Sequence, residues 1–182
     1  MKVYPNLDDR HRRFIADQQM YFVATAPLAA DGHVNLSPKG LESFVVLAGD
    51  RVAYIDLGGS GIETHAHLRE NGRICLMFCA FEGKPLILRL YGRGQAHLYG
   101  EPGFEALRDH FPAIDVPVRG IIEIEIDRVQ DSCGWGVPLY EYQGQRDRLV
   151  DHCAKRTQDE HISLIYEKNA ESIDGLPGAV KG

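Results

Sequence analysis

The stretch DLGGSGIETHAHLRENG, which runs from Asp56 to Gly72, joins a β-rich run to a helical pattern. The apolar run at 52–55 precedes it, and Asn71-Gly72 is a typical helix stop. We therefore predict a strand, a glycine-rich turn and a short helix. A turn of this kind binds anions, because the first amides of a helix lack intrahelical partners and glycines let a phosphate approach the backbone.

The same stretch supports a second interpretation. Ser60 and Glu63 have the S-x-x-E spacing of a capping box, in which the two side chains satisfy the free amides themselves. A capped helix would leave nothing for a ligand, so capping and phosphate binding stay open as alternatives. Ile62 and Ala66 form only a thin apolar stripe, so we expect this helix to pack lightly and to have polar side chains to spare.

Composition and charge restrict the class of protein. A length of 182 residues with 44% hydrophobic residues predicts a single domain, residues 1–182, with a core of its own. The formal net charge of -6 argues against nucleic acid or an anionic membrane as a partner, since both are bound through clustered Lys and Arg. The sequence therefore predicts a small-molecule partner.

The cysteines and histidines give no metal signature. The four cysteines form no C-x-x-C pair and lack the spacing of zinc ligands, which predicts reduced and buried thiols. His65 and His67 are two residues apart, so on a helix they would point in different directions. Neither a basic and apolar leader at residues 1–5 nor a bilayer-length apolar run is present in the sequence, and we expect a cytoplasmic protein.

Short apolar runs separated by turn signals predict an antiparallel sheet. The runs are 21–26, 33–37, 44–47, 52–56, 73–81, 86–98 and 121–127. The first two flank Asp31-Gly32, a hairpin signal, and the next two form a second hairpin. In the last run isoleucines alternate with acids, which is typical of a half-exposed strand. The glycines within 86–98 are interpreted as kinks or bulges.

Helical patterns lie between and after these strands. They cover 7–19, 102–110, 145–155 and 160–169, in addition to the helix after Asp56. A series of short strands with one helix inserted after the fourth predicts a mainly β fold with helices, built as a small antiparallel barrel rather than a βαβ sheet.

Several of these segments together resemble the pyridoxamine 5'-phosphate oxidase-like flavin-binding split barrels. They are NLSPKG at 35–40, the turn and helix at 58–72, the strand at 73–81 and RLYG at 89–92. The resemblance covers about 18–129, and it implies a six- to seven-stranded antiparallel split β-barrel of the FMN-binding type with C-terminal helices. The segment at 130–182, with CGWGVPLYEY at 133–142 and SIDGLPG at 172–178, is similar to a bacterial branch known only as oxidase-related.

The resemblance implies a homodimer with FMN at the subunit interface. It makes Lys39 a cation for the phosphate or the ring edge, Ser37 a hydroxyl donor, and Ser60 with Thr64 the rest of a phosphate cradle. Backbone contacts to the isoalloxazine would come from 55–56. The full set of implied or candidate cofactor-binding residues is Ser37, Lys39, Gly40, Ile55, Asp56, Ser60, Glu63, Thr64, Arg89 and Trp135.

Two of these candidates leave alternatives open. Trp135 lies between glycines, which allows its flat ring to cover the flavin, but it could equally pack at the dimer interface. Arg89 and Arg93 share a strand face, and the sequence does not decide which of them reaches the cofactor. Glu63-Thr64 stands where the vitamin B6 oxidases have an Arg-Lys pair, which would have supplied two charge-assisted bonds to the phosphate. The chain also has no match to the arginine- and histidine-bearing carboxy-terminal segment that reads pyridoxal phosphate in the true oxidases, which argues against vitamin B6 oxidation.

The sequence leaves two function classes open. The first is an FMN-dependent oxidoreductase, in which the flavin itself carries hydride or electrons and no dedicated acid-base residue is obligatory. The second is a non-catalytic module that holds FMN, another flavin-like cofactor or haem as a store, sensor or scavenger. Fold alone does not separate these classes, because function resides in the site.

Overall fold

The computed structural model describes residues 1–180 as a curled antiparallel sheet with helices around it. The strands are β1 (Lys2–Tyr4), β2 (Tyr21–Thr25), β3 (Asn35–Lys39), β4 (Phe44–Val46), β5 (Arg51–Asp56), β6 (Arg73–Cys79), β7 (Ile87–Leu98) and β8 (Gly120–Ser132). The helices are α1 (Asp9–Ala16), α2 (Glu63–Asn71), α3 (Pro102–Leu107), α4 (Arg148–Cys153) and α5 (Gln158–Lys168), and a 3₁₀ turn at Arg108–His110 extends α3.

The sheet is a half-barrel that is open between β3 and β4. Its strands follow the order β3-β2-β6-β7-β8-β5-β4, and β1 pairs with the carboxyl end of β8. The long strands β7 and β8 form its centre, with a register shift at Tyr91 and Gly92. A Cβ on Gly92 would collide with the Glu125 carbonyl, so the predicted glycine bulge is confirmed. The predicted antiparallel split barrel is confirmed as well.

Apolar side chains fill both faces of the sheet around β5 and β8. Ile122 and Ile124 of β8 pack inside the half-barrel, whereas the neighbouring Ile121 packs against α3 and the 3₁₀ turn on the other face. Glu123 and Glu125, which alternate with these isoleucines, are partly or fully exposed. The alternation that predicted a half-exposed strand is therefore confirmed, and both sides of β5 are anchored close to its end at Asp56.

Some boundaries and exposures differ from the sequence-based expectation. The first helix is shorter than predicted because Asp8 caps it, accepting a hydrogen bond from the His11 amide at 2.9 Å. Strand β1 was missed, since three residues give no alternation signal. Buried thiols were predicted for all four cysteines, yet Cys133 is exposed in the glycine-rich loop after β8. Within residues 1–180, none of the helices is long and apolar enough to cross a membrane.

Candidate functional site

A cleft of about 710 Å³ lies where β3, the end of β5 and the turn before α2 come together. Asn35, Ser37 and Lys39 line it, because alternate residues of β3 point to the same side of the strand. The segment around Tyr142 and Gln145, which precedes α4, also lines the cleft. The cleft therefore opens at the split of the half-barrel.

The cleft brings together most of the predicted site residues. Those that line it are Ser37, Lys39, Gly40, Ile55, Asp56, Ser60, Glu63 and Thr64. Arg89 and Trp135 are not among the cleft-lining residues of the chain. Arg89 lies on β7 and donates to the Ser132 hydroxyl at 3.3 Å, and Trp135 is 83% exposed in its loop. Arg93, the alternative to Arg89, donates to the Asn71 carbonyl at 2.7 Å.

The start of α2 tests the capping-box interpretation of the glycine-rich turn. The helix begins at Glu63, and Ile62, whose side chain carries no acceptor, occupies the N-cap. Glu63 accepts a hydrogen bond from the Ile173 amide at 3.3 Å. The capping-box alternative is therefore wrong, because Ser60 lies too far ahead of the helix to be its cap. Within residues 1–180 the first amides of α2 have no capping side chain.

A buried charge network lies behind the turn. Arg119 donates to Asp56 Oδ2 from both Nε (3.0 Å) and Nη2 (2.8 Å), and His65 Nε2 donates to the same oxygen at 3.0 Å. The other carboxylate oxygen is 3.7 Å from Lys39 Nζ and accepts from the Gly58 amide at 3.2 Å. One carboxylate therefore joins β3, β5, α2 and the residue before β8.

The network fixes the charge state of Asp56. Burial opposes its ionisation, but Arg119, Lys39 and the His65 hydrogen bond outweigh burial and hold the pKa of Asp56 well below its usual value. Burial also lowers the pKa of His65, against the raising effect of its hydrogen bond to Asp56. At neutral pH the site therefore contains an ionised Asp56, the cations Arg119 and Lys39, and a neutral His65.

The helix α2 packs tightly, contrary to the expectation of a lightly packed helix. Residues 64–68 are all buried, including His65 and His67. His67 Nδ1 shares a hydrogen bond with the Thr25 hydroxyl at 2.9 Å, and burial lowers its pKa. The expectation failed because the polar side chains of α2 find partners on the sheet and so join the core.

Asn35 and Thr64 continue this polar lining into the cleft. Asn35 Nδ2 donates to Thr64 Oγ1 at 3.0 Å, which leaves the Thr64 hydroxyl proton for another acceptor. Two backbone groups near the predicted ring contacts are already used, since the Ile55 amide donates to the Ser43 carbonyl and the Asp56 carbonyl accepts from the Arg119 amide. Among residues 1–180, no three His, Cys, Asp or Glu side chains converge as metal ligands would.

Comparison with known proteins assigns the family. The model of the family "Pyridoxamine 5'-phosphate oxidase" matches residues 7–133. The chain belongs to the pyridoxamine 5'-phosphate oxidase family. It is also 36% identical to the pyridoxamine 5'-phosphate oxidase family protein ustO of Aspergillus flavus over 193 residues, which cover 96% of this chain and 76% of that relative. The resemblance derived from the sequence is confirmed.

Solved structures share the fold of this oxidase-family chain. HupZ of Group A Streptococcus aligns with a TM-score of 0.56 at 20% identity, covering 74% of this chain and 99% of HupZ. A protein of Clostridium acetobutylicum related to general stress protein 26 of B. subtilis (pyridoxinephosphate oxidase family) aligns with a TM-score of 0.50 at 16% identity, covering 77% and 94%. At these identities the likeness concerns the fold alone.

Sequence reasoning missed several residues of this oxidase-family site. Arg119 lines the cleft, but a lone arginine in an apolar run gave no signal except that a buried Asp56 needs a cation. Gln145 Nε2 donates to the Gln19 carbonyl at 2.8 Å, and the cleft is also lined by Tyr142, Gly144, Gln145, Arg146 and Leu149. The residues from Tyr142 onwards lie beyond the segment that the family model matches, and of them the resemblance reached only Tyr142, the last residue of CGWGVPLYEY.

Proposed function

We propose that the chain is an FMN-dependent oxidoreductase that acts on a small molecule. The observation that carries this proposal is the uncapped amino terminus of α2, which faces the same cleft as Lys39 in a chain of the pyridoxamine 5'-phosphate oxidase family. Free helix amides and a nearby lysine are a typical phosphate site, because both supply positive charge. FMN carries one such phosphate.

The residues of the cleft fit this cofactor. Lys39, 25% exposed at its side chain, presents its charge at the cleft while Asp56 balances it only in part, because Asp56 is also paired with Arg119. Ser37, Ser60 and Thr64 add hydroxyls that can donate to phosphate or ribityl oxygens. The Gly59 position is open, with nothing within 4 Å of a Cβ placed there, so a ligand can approach the backbone.

The acid at the start of α2 is compatible with a bound phosphate. Glu63 lines the cleft, but its carboxylate accepts a hydrogen bond from Ile173 in the carboxy-terminal tail. A carboxylate held in this way has a partner of its own and is not required to contact the cofactor. We infer that amides, hydroxyls and Lys39 hold the phosphate, in place of the Arg-Lys pair of the vitamin B6 oxidases.

The protein would position the flavin, and the flavin would supply the redox chemistry. The ionised Asp56, held by Arg119 and His65, fixes the end of β5 and so the edge of the cleft at which the ring would lie. The four free cysteines fit a reducing compartment, and the proposal includes a cytoplasmic location.

We further propose a homodimer that completes the site. Phe22, Met77 and Arg89 stand in register across β2, β6 and β7 on the face of the sheet that points away from the core, and all three are partly exposed. Leu36 of β3 extends this face as an exposed apolar residue. An apolar patch of this kind marks an interface, and an isologous dimer would use it twice. The predicted roles of Arg89 and Trp135 then fall on the partner's cofactor.

Two experiments test the proposal. Chromatography of the cofactor released on denaturation should yield FMN, and recovery of FAD, haem or nothing would contradict the assignment. Anaerobic mixing of the yellow protein with NADH or NADPH should bleach the flavin, and air should restore its colour. An inert yellow protein would instead support the non-catalytic module.

Light scattering tests the homodimer. The wild type should be a dimer and Leu36→Asp a monomer, and a wild-type monomer that retains FMN would contradict the proposed dimer.

A further inference from the structure

We propose that the carboxy-terminal helices set the shape of the phosphate-binding turn, with Asn169 as the positioning residue. The turn is Leu57–Gly61, and the inference rests on the proposed flavin site. It concerns residues that lie outside the segment matched by the family model, 7–133. The side chains that carry the inference, those of Cys153, His161 and Asn169, are not among the residues that line the cleft. They act on the backbone that lines it.

The carbonyl groups of the turn are held from behind. The Leu57 carbonyl accepts from His161 Nε2 at 2.8 Å and from the Cys153 thiol at 3.6 Å. The Ser60 carbonyl accepts from Asn169 Nδ2 at 3.3 Å. These three side chains come from α4, α5 and the residue that ends α5. The carboxy-terminal segment therefore contacts the turn at both of its ends.

Arg119 holds the last carbonyl and links it to the same segment. Its Nη1 donates to the Gly61 carbonyl at 2.7 Å and to Asn169 Oδ1 at 3.3 Å. Asn169 thus uses both ends of its amide, donating to Ser60 and accepting from Arg119. Because Arg119 also pairs with Asp56, the side chain of Asn169 connects the turn to the buried charge network.

The directions of these carbonyls also fix the directions of the amides that follow them. The structure has no cis peptide bond within residues 1–180, and in a trans peptide the N–H points opposite to the C=O. Since the Ser60 and Gly61 carbonyls point at Asn169 and Arg119, the amides of Gly61 and Ile62 point away from these buried side chains. Ser60 and Gly61 both line the cleft, so these amides extend the anion-binding amides of α2.

Asn169 is itself rigidly placed. It is only 2% exposed, its amide donates to the Ile165 carbonyl at 2.8 Å, and its carbonyl accepts from the Ala179 amide at 2.8 Å. A Cβ on Gly178 would collide with the Asn169 carbonyl, which shows how closely the tail covers it. A side chain fixed in this way positions its hydrogen-bond partners with little loss of entropy on ligand binding.

The test compares FMN with riboflavin, which lacks the phosphate. In Asn169→Asp the acceptor for Arg119 is kept, but the donor to the Ser60 carbonyl is lost and a carboxylate faces it. We expect the full-length variant, freed of cofactor, to bind FMN about three- to tenfold more weakly than the wild type, as for the loss of one hydrogen bond. Riboflavin affinity should stay within about twofold, because the phosphate contacts alone are affected.

The matched control is Asn71→Ala, which removes an asparagine side chain that donates to the Ala26 carbonyl at the opposite end of α2. Its FMN affinity should equal that of the wild type. Equal FMN binding by wild type and Asn169→Asp would overturn the inference, and so would equal losses for FMN and riboflavin, which indicate a general structural role. A wild type without FMN binding would remove the proposed function and this inference together.

A second measurement does not depend on any ligand. Amide hydrogen exchange of Gly58 and Ala66, whose amides donate to Asp56 Oδ1 and to the Ile62 carbonyl, reports the order of the turn and of the start of α2 in the cofactor-free protein. We expect faster exchange at these amides in Asn169→Asp and unchanged exchange in Asn71→Ala. Unchanged exchange in Asn169→Asp would overturn the positioning role even if the wild type binds FMN.

Discussion

The two sides of the Leu57–Gly61 turn are built in different ways. On the barrel side, β3 presents the side chains of Ser37 and Lys39 directly to the cleft. On the carboxy-terminal side, His161 and Asn169 bind carbonyl oxygens of the turn and leave the cleft to the backbone. In the proposed site, the first side would supply the side chains that bind the ligand, whereas the second would fix the conformation in which the backbone binds it.

The largest expected effect tests the charge network that joins the two sides. Arg119→Ala leaves Asp56 buried without its closest cation, and we expect the free energy of unfolding to fall by about 3–5 kcal/mol. Arg51→Ala is the matched control, since Arg51 forms an ion pair with Glu123 but is 50% exposed at its side chain. The free energy of unfolding of Arg51→Ala should fall by only about 0–1 kcal/mol in the same denaturant titration. Equal losses for the two variants would show that Asp56 does not depend on Arg119.

The next effect concerns the barrel side alone. If Lys39 pairs with the phosphate, Lys39→Ala should weaken FMN binding by about 1.5–3 kcal/mol, or roughly tenfold to more than a hundredfold. Lys84→Ala, which removes an exposed lysine of the β6–β7 turn, should bind FMN as the wild type does. A similar loss of riboflavin affinity in Lys39→Ala would instead assign Lys39 to the ring edge. Fluorescence titration with both ligands distinguishes these results.

The barrel side was predictable from the sequence and the other side was not. The resemblance of NLSPKG to the family implied Ser37 and Lys39, which the structure places at alternate positions of β3. The Asn-Gly stop after α2 is confirmed, with Gly72 in the left-handed conformation that ends the helix. Both signals are local. Asn169 contacts Ser60 across more than one hundred residues, and no local pattern in the sequence specifies such a pairing.

The burial of α2 could not be predicted from its own sequence either. His65 and His67 make a helix look polar when only its own sequence is considered. In the fold they face Asp56 on β5 and Thr25 on β2, so each buried histidine makes one hydrogen bond to the sheet, although His67 Nε2 has no partner among residues 1–180. The predicted cofactor contacts of Arg89 and Trp135 are a different case. Their predicted contacts would need a second subunit, and they remain predictions.

The third prediction concerns how the stability of the protein depends on pH on the two sides of the turn. Burial lowers the pKa of His67 on the barrel side and of His161 on the carboxy-terminal side. Below their ordinary pKa of about 6.5 the unfolded chain binds protons that the folded chain does not, so stability should fall as the pH is lowered from 7.5 towards 5. Asp56 adds nothing in this window, because its lowered pKa confines its effect to more acidic solution.

Replacing each histidine shows how much of this pH dependence comes from its side of the turn. His161→Gln keeps a donor for the Leu57 carbonyl but cannot titrate, so it should flatten part of the slope, and His67→Gln should flatten another part. The exposed His33 opposes the trend, since its hydrogen bond to Asp174 raises its pKa and favours the folded state below about 6.5. Stability that is constant or higher at pH 5 would contradict the prediction.

The smallest expected effect is at Glu63, which lies between the two sides. Glu63→Gln keeps an oxygen that can accept from the Ile173 amide and removes a negative charge from the rim of the cleft. FMN affinity should therefore hold or rise by a small factor, within about 1 kcal/mol. Abolished binding in a variant that keeps its circular dichroism spectrum would mean that the carboxylate contacts the cofactor, and that the phosphate lies elsewhere.

The most direct test of the phosphate site is a calorimetric titration of the cofactor-free wild type with FMN and with riboflavin. If the amides of α2 and Lys39 hold the phosphate, FMN should bind at least about tenfold more tightly than riboflavin, because each charge-assisted hydrogen bond contributes about 1.5–3 kcal/mol. Equal affinities for the two ligands would contradict the account.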